Sequence, residues 1–367
     1  MTRLDRLILS ELIAPFLGAA LLFTGLFFAG GELVRFAEFL QKGESVRVVL
    51  QLFLLSVPGV MAYTFPMAML LATLLGFGRL SSDSEVVAFT AAGCSFERAI
   101  VPVAVMGFIV SLIGVWFNNS IVPSASRGRN VIIDNYKAKG GNVTGARITV
   151  PLRDKQGNLT TLIHVEGNAD LGSGELTNVS ITQWEKGRQV AVFFAPRAVW
   201  ETGTKNWKLY DFDVANWYKS GASIAHATTG ETREVVLDTP DQLKAYSSGR
   251  PEDKDTGELR EASKVLRKGE NIDRAREFEV EVARRTSLPF AAFTFGLVGA
   301  ALGVRPPREG KGIGFGLSVI VTFLYYVCLN VVSIIARNGG LNADLALMLP
   351  NLIGLVIAIF LIRRVMR

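Results

Sequence analysis

The side chains that could do chemistry are few, and the motifs that usually organise them are missing. No GxxxxGK loop followed by Ser or Thr is present, so the chain lacks that cradle for the phosphates of ATP. Neither an HExxH helix nor a GxSxG turn occurs, and no acid and base stand in a convincing catalytic pairing. Two histidines (His164, His226) and two distant cysteines (Cys94, Cys328) are too few for a metal centre or a disulfide framework. No catalytic residue, metal or cofactor is therefore expected. A membrane chain of this kind is expected to conduct, transport or anchor, because an intramembrane enzyme would carry polar catalytic groups inside its apolar runs.

The most organised polar stretch is GFGRLSSDSEVVAFTAAGCSFER, Gly76 to Arg98, between two runs long enough to cross a bilayer. Ser82 and Glu85 have capping-box spacing, which predicts a short helix over about 82–92. Val86 and Phe89, with Val87 and Ala91, give it an apolar face, and Gly93 is a natural stop. Two turns of helix are only marginally stable alone in water, so this piece is expected to lean on another surface. The sharp expectation is that the surface belongs to a separate ATPase subunit, met by Glu85, Val86, Phe89 and Arg79. The plain alternative is that Glu85 only caps its helix, and both roles can coexist.

The elements that must position this stretch are set by composition. The 367 residues are 49% hydrophobic and 20% charged. Mean hydropathy is +0.32, too high for an ordinary soluble protein. Charges cluster in the middle of the chain, which indicates membrane spans carrying a soluble domain. The net charge of +6 is first explained by anchoring residues at the membrane, so nucleic-acid binding is not inferred.

Leu12 to Gly31 is uncharged and longer than the core of a cleavable signal peptide, so it is read as a first span. Val48 to Gly78 is uncharged over 31 residues and contains Pro58 and Pro66, which predicts a kinked second span. Ala99 to Ser126 is the third; Thr286 to Val304, Gly312 to Ala336 and Leu345 to Ile362 close the chain, with the basic loop RPPREGK after the fourth. Short-loop cations gather on one side (Arg3, Arg6, Arg79, Arg98, Arg305, Arg308, Lys311, Arg363, Arg364, Arg367) and are sparse on the other (Arg35, Lys42, Arg47, Arg337). The positive-inside rule then puts both termini and the Gly76–Arg98 stretch in the cytoplasm.

Between the third and fourth spans, ARITVPL, LTTLIHVEG, ELTNVSITQW, QVAVFFAPRAVWE and WKLYDFDVANW alternate with turn signals and predict an all-β sandwich or barrel-like domain. TPDQLKAYSSGRPEDKDTGELREAS, charged and rich in Gly, Pro and Ser, reads as a loose connection. Glu270 to Arg285 reads as helix, with Glu281 and Arg285 at i,i+4 spacing. Trp184, Trp200, Trp207 and Trp217 are expected to fill or flank the β core. The layout is residues 1–126 with three spans and the short helix, 127–240 the β domain, 241–285 a linker and helix, and 286–367 three more spans.

These residues also resemble a known family. GFGRLSSDSEVVAFTAAGCSFERAI is similar to the coupling region of the lipopolysaccharide export permeases, the LptF/LptG family. LDRLILSELIAPF, LSVPGVMAYTFPMAMLLATLLGFGRL and RRTSLPFAAFTFGLVGAALGVRPPREGKGIG, then Tyr325, Tyr326 and LPNLIGL, extend the resemblance over nearly the whole chain. It implies six transmembrane helices, three plus three, around an inserted periplasmic β-jellyroll, in the bacterial inner membrane. It further implies a second permease chain, a cytoplasmic ABC ATPase dimer, a periplasmic jellyroll bridge protein and lipopolysaccharide as cargo.

On that resemblance Arg35 takes the place of a basic residue near a phosphorylated head group, and Lys42 corresponds less firmly. Snorkelling, or pairing with Glu32 or Glu38, is the plain account of both. Phe27, Phe28, Tyr325 and Tyr326 are candidates to line a lateral, lipid-binding opening between the first and fifth spans, although aromatics in helix packing need no ligand. A reading of another class is a non-transporting membrane scaffold or sensor whose β domain binds a periplasmic ligand. A four-span lipoprotein-releasing or cell-division subunit fits less well, since its soluble domain follows the first span.

Overall fold

The computed structural model describes residues 3–41, 45–139, 148–153, 159–165, 169–170, 174–185, 188–201, 204, 206–218, 221–226, 232–235, 251, 254–268, 272–304 and 313–365. The chain divides into two compact units, Met1–Ile132 with Glu279–Arg367, and Ile133–Phe278. Its helices are α1 (Arg3–Phe27), α2 (Leu33–Gln41), α3 (Val46–Ser82), α4 (Glu85–Ala91), α5 (Phe96–Trp116), α6 (Val122–Lys139), α7 (Thr256–Lys268), α8 (Ile272–Gly303), α9 (Ile313–Arg337) and α10 (Ala343–Val365). Two π-helical turns, Phe28–Glu32 and Phe117–Ile121, join α1 to α2 and α5 to α6 without a break.

Among the described residues, six stretches are long and apolar enough to cross a membrane: Arg3–Glu32, Val46–Ser82, Phe96–Ile133, Ile272–Gly303, Gly314–Arg337 and Ala343–Val365. Each contains most or all of one uncharged run and continues into polar residues at one or both ends. Their outward side chains are large and apolar, with Leu21 76%, Val356 67% and Phe323 65% exposed. On a soluble protein such a belt would aggregate; against lipid it is the required surface. The chain is a multi-pass membrane protein.

Within lipid, helices gain little from hiding apolar side chains, so close contact between backbones must hold them together. Glycines on and around α8 supply it. A Cβ on Gly303 would lie 2.8 Å from Phe77 Cβ, and one on Gly296 would lie 2.9 Å from Met69 Cε, so α8 presses on α3. Gly107 and Gly114 of α5 meet Phe293 and Pro289 of α8, while Gly354 of α10 meets Thr294. On α3, Pro66 has no N–H to offer the carbonyl of Ala62, and the loosened turn is met from outside: the Tyr326 hydroxyl of α9 donates to the Tyr63 carbonyl at 2.9 Å. Asn351 of α10 ties α8 to α9. Its amide nitrogen donates to the Ser287 carbonyl at 2.8 Å, and its oxygen accepts from the Tyr325 hydroxyl at 3.1 Å.

Among the described residues, the second unit holds nine strands: β1 (Ile148–Arg153), β2 (Leu159–Val165), β3 (Ala169–Asp170), β4 (Glu175–Glu185), β5 (Arg188–Glu201), β6 (Asn206–Tyr210), β7 (Asp213–Tyr218), β8 (Gly221–His226) and β9 (Thr232–Val235). All pairings are antiparallel. The long β4–β5 ribbon is shared by two leaves. One runs β1-β2-β4-β5-β7-β8 and uses Val179–Gln183 and Ala191–Phe194; the other runs β3-β4-β5-β6-β9 and uses Glu175–Leu176 and Arg197–Glu201. The leaves join where Asn178 takes φ 53° opposite Pro196, which has no N–H for the ladder. WKLYDFDVANW, expected as one strand, is two, because Asp211 at φ 51° turns the chain so that β6 and β7 reach different ends of β5. Ile163, Val179, Ile181, Phe193, Trp207 and Leu209 anchor one core, with Trp200 edge-on to Trp207 at 5.6 Å. Trp184 is partly buried, and the side chain of Trp217 lies outside the described residues.

The expected loose connection is in part a helix. The Asp255 carboxylate accepts from the Glu258 N–H at 2.8 Å while the Glu258 carboxylate accepts from the Asp255 N–H at 2.9 Å, a closed capping box that starts α7. Leu259, Ala262 and Leu266 recur on one buried face of α7. Lys254, just before the box, is buried with its ammonium 4.9 Å from the Phe278 ring centre. Burial pushes its pKa down, against the pull of Glu258. Asp255→Ala is expected to lower the stability of this helix by about 1 kcal/mol, read as faster amide exchange across residues 256–268 with the β core unchanged.

Candidate functional site

The short helix α4 is where the sequence expected it, but it starts and faces differently. Ser82 does not cap it. That residue ends α3, and its hydroxyl donates to the Arg79 carbonyl at 2.9 Å, so the Ser82–Glu85 capping box does not form. Ser84, at φ 60°, is the residue that turns the chain into α4, with no side-chain cap. The stop at Gly93 is as expected: with φ 87°, its N–H goes to Thr90 and that of Cys94 to Phe89, a Schellman closure.

Val86 is 7% exposed and joins the bundle core, and Phe89 packs against the same cluster. These two were expected to face a partner; instead they seat α4 on its own chain, which is what a two-turn helix needs to exist. The outward face is Val87, 66% exposed, with Ala88 and Ala91. Glu85 stands in the first turn, where a carboxylate suits the helix dipole. One of its oxygens is withdrawn from solvent with no hydrogen-bond partner among the described residues.

Arg79 is committed within the chain. It contacts Glu11 of α1 at 2.8 Å and Asp83 at 3.5 Å. On the far side of α4, Arg98 of α5 grips Asp5 of α1 through two contacts, 2.7 and 3.0 Å. Sequence reasoning used these arginines for orientation and overlooked their partners. The available signal was Glu11, a carboxylate one residue before an uncharged run, which needs a cation to sit at a membrane boundary.

The four aromatic candidates do not form one lining. Phe28 is buried in a cluster with Phe53 and Phe36, ring centres 4.5 and 6.3 Å away. Tyr325 is buried, edge-on to Phe295 at 4.9 Å, with its hydroxyl on Asn351. Tyr326 packs on the α1–α3 cluster of Ala19, Ala20, Phe23, Met67, Ala68 and Leu71. Only Phe27, 43% exposed, points outward. Phe28, Tyr325 and Tyr326 thus take part in helix packing within this chain, the plain alternative for such aromatics. A run of apolar residues gives depth in the membrane, whereas the direction around the helix depends on neighbours. Arg35 lies on α2 with its side chain outside the described residues, and Lys42 lies outside them, as does RPPREGK.

Of the known families, the model for the "Lipopolysaccharide export system permease LptF/LptG" matches residues 6–364. The chain belongs to the LptF/LptG permease family. Among curated relatives, the lipopolysaccharide export system permease protein LptG of Escherichia coli K12 is 26% identical over 329 residues, covering 85% of this chain and 84% of that protein. The LptF protein of the same strain is 24% identical over 332 residues, covering 86% and 82%. Six apolar helices with an antiparallel β region between the third and fourth are the LptF/LptG arrangement, here argued from the residues. The family match runs through α4 and both ion pairs on either side of it, except that Asp5 lies one residue before its start.

Proposed function

We propose that the chain is a permease subunit of an ATP-driven exporter that extracts lipopolysaccharide from the inner membrane and passes it to a periplasmic bridge protein. It works with a second permease chain, and a cytoplasmic ABC ATPase dimer supplies the energy. Both termini and α4 lie in the cytoplasm and the β domain in the periplasm; the excess of short-loop cations around α4 supports this orientation. Residues 1–126 and 286–367 form the permease body, 127–240 the β domain, and 241–285 the linker and helix leading back. Arg35 and Lys42, next to the outer end of the first span, supply cations for the phosphorylated head group, and Phe27 is the one aromatic candidate placed to meet lipid.

The observation that carries this reading is α4: a two-turn helix seated by Val86, offering Val87 outward and an unpartnered Glu85 oxygen at its start, in a chain of this family. Glu85 is partly exposed in the first turn of α4, so a cationic side chain from a docked ATPase could meet its carboxylate. Arg79, held by Glu11, shapes the platform rather than making the contact.

Copurification with the ATPase subunit tests the reading. Val87→Asp is expected to reduce the bound ATPase by roughly tenfold, the equivalent of about 1.4 kcal/mol, without changing the thermal midpoint of the permease. Val86→Asp is expected to lower the folded yield itself, because the new charge must enter the core. An ATPase that stays bound to both Val87→Asp and Glu85→Ala would exclude α4 as its docking site, and the absence of any copurifying ATPase would favour the scaffold or sensor reading instead.

A further inference from the structure

The elements on both sides of α4 are fastened to the same helix. Arg79 belongs to the last turn of α3, just before α4, and its Nη1 is 2.8 Å from Glu11 Oε2 of α1. Arg98 belongs to the first turn of α5, just after α4, and its two Nη atoms face the two oxygens of Asp5, also of α1. The second pair combines one charge-assisted hydrogen bond, Nη2 to Oδ2 at 3.0 Å, with a close Nη1–Oδ1 contact at 2.7 Å. Beside the first, Gly76 brings the helix backbones together: a Cβ there would lie 2.8 Å from Leu12 Cδ2 and 3.2 Å from the Glu11 carbonyl oxygen.

As contributions to stability these pairs are modest, since Arg79 is well exposed and Arg98 partly so. Their meaning is geometric. The N-terminal third of α1 cannot keep its place if the α3–α4–α5 corner moves.

Beyond the pairs, α1 continues as helix to Phe27, with one backbone bond missing where Pro15 has no N–H for the Glu11 carbonyl. After Phe27 the bonding pattern widens in the π-helical turn Phe28–Glu32. That turn contains Gly30 and Gly31, and a Cβ at either would meet nothing within 4 Å. Packing does not require glycine at these positions, so what the pair supplies is a pliable backbone. After it comes α2, which carries Arg35.

We propose that the Asp5–Arg98 and Glu11–Arg79 pairs are the links that deliver displacement of α4 into α1, and that α1 carries it along its length to a hinge at Phe28–Glu32 that redirects α2. Asp5, Glu11, Arg79 and Arg98 are thus positioning residues for transport. This rests on the docking of an ATPase on α4 proposed above.

Two measurements test it. In proteoliposomes holding the complete exporter, Asp5→Arg and Arg98→Asp are each expected to leave ATPase binding intact and hydrolysis within about twofold of the unaltered complex, while lipopolysaccharide released per ATP falls by at least about fivefold. The double swap Asp5→Arg with Arg98→Asp is expected to restore that ratio by re-forming the pair, while a merely structural loss would lower ATPase binding and hydrolysis together with it. In the permease alone, in nanodiscs and with Cys94→Ser and Cys328→Ser, spin labels at Leu33→Cys and Leu345→Cys report the α2–α10 distance. Arg98→Asp is expected to broaden that distribution and the swap to narrow it again. Single reversals that leave both the ratio and the distance distribution unchanged, or a swap no better than the singles, overturn the proposal. If no ATPase copurifies with the unaltered chain, the docking reading fails by itself, and the spin-label distances still decide whether the pairs control α2.

Discussion

Gly299→Val is expected to stop the helical unit from assembling. A Cβ at residue 299 would fall on the Thr73 hydroxyl, 2.8 Å from the Leu70 carbonyl oxygen and 3.2 Å from Leu70 Cδ1. Two of these obstacles have nowhere to go. The Leu70 carbonyl is backbone, and the Thr73 hydroxyl is held by bonds to the Met69 and Leu70 carbonyls at 2.9 and 3.0 Å. Overpacking a core costs about 1–3 kcal/mol where side chains can give way. Here α8 must separate from α3, so the loss is expected at or above the top of that range, read as the disappearance of a monodisperse peak in detergent. Gly296→Ala is the matched control: its added methyl meets the flexible end of Met69, which can swing aside, and a small fall in thermal midpoint is expected.

Asn351→Leu is expected to produce the second-largest loss, by breaking the polar knot among α8, α9 and α10. The Asn351 side chain has the same branched, four-atom outline as the somewhat bulkier leucine, so no cavity is made; what is lost is bonding. The Tyr325 hydroxyl loses its acceptor, the Ser287 carbonyl loses a donor at 2.8 Å, and Thr294 loses a partner at 3.4 Å while keeping the Phe290 carbonyl. Ser287 retains its bond to the Leu347 carbonyl. Each buried group left without a partner costs about 1–3 kcal/mol in water-soluble proteins, and less per bond between helices in lipid, about 0.6 kcal/mol on average. A total near 2 kcal/mol is expected, measured as a lowered unfolding midpoint. Adding Tyr325→Phe should recover part of it, because the stranded hydroxyl is then gone; a double change as harmful as the sum of the singles would exclude the bond.

Where the physics is one-dimensional, the sequence was readable. A bilayer sets a minimum length for an uncharged run, so all six spans were legible, with helix ends moved outward by residues that polar flanks can accommodate. Alternation revealed the strands for the same reason: Val179 and Ile181 must face one core. What spacing could not supply was the competition between neighbours. Ser82–Glu85 and Asp255–Glu258 have the same capping spacing, yet only the second closes. In the first, Ser82 is already the final residue of a long helix and its hydroxyl is taken by Arg79. In the second no described residue upstream claims Asp255, and a stretch judged by its Gly, Pro and Ser content contains a real helix start. The packing of the aromatic candidates was hidden for a related reason. Tyr325 looks like an interfacial side chain until Asn351, 26 residues away, is seen to accept its hydroxyl. Position along the chain cannot predict that meeting.

The wide turn at Phe117–Ile121 has a consequence for how the chain tolerates changes in length. Such a turn accommodates one more residue than an ordinary one, and in an α-helix one residue corresponds to a rotation of about 100°. Removing a single amino acid there would therefore shorten nothing of importance. It would return the turn to ordinary α-helix and leave Pro123, Ala125 and Ser126 turned inward and Ser124 and Arg127 outside. The same deletion elsewhere in the rod would instead act as a steering change, so the wide turn is the place where relatives of different length can differ by one residue without rotating the helix.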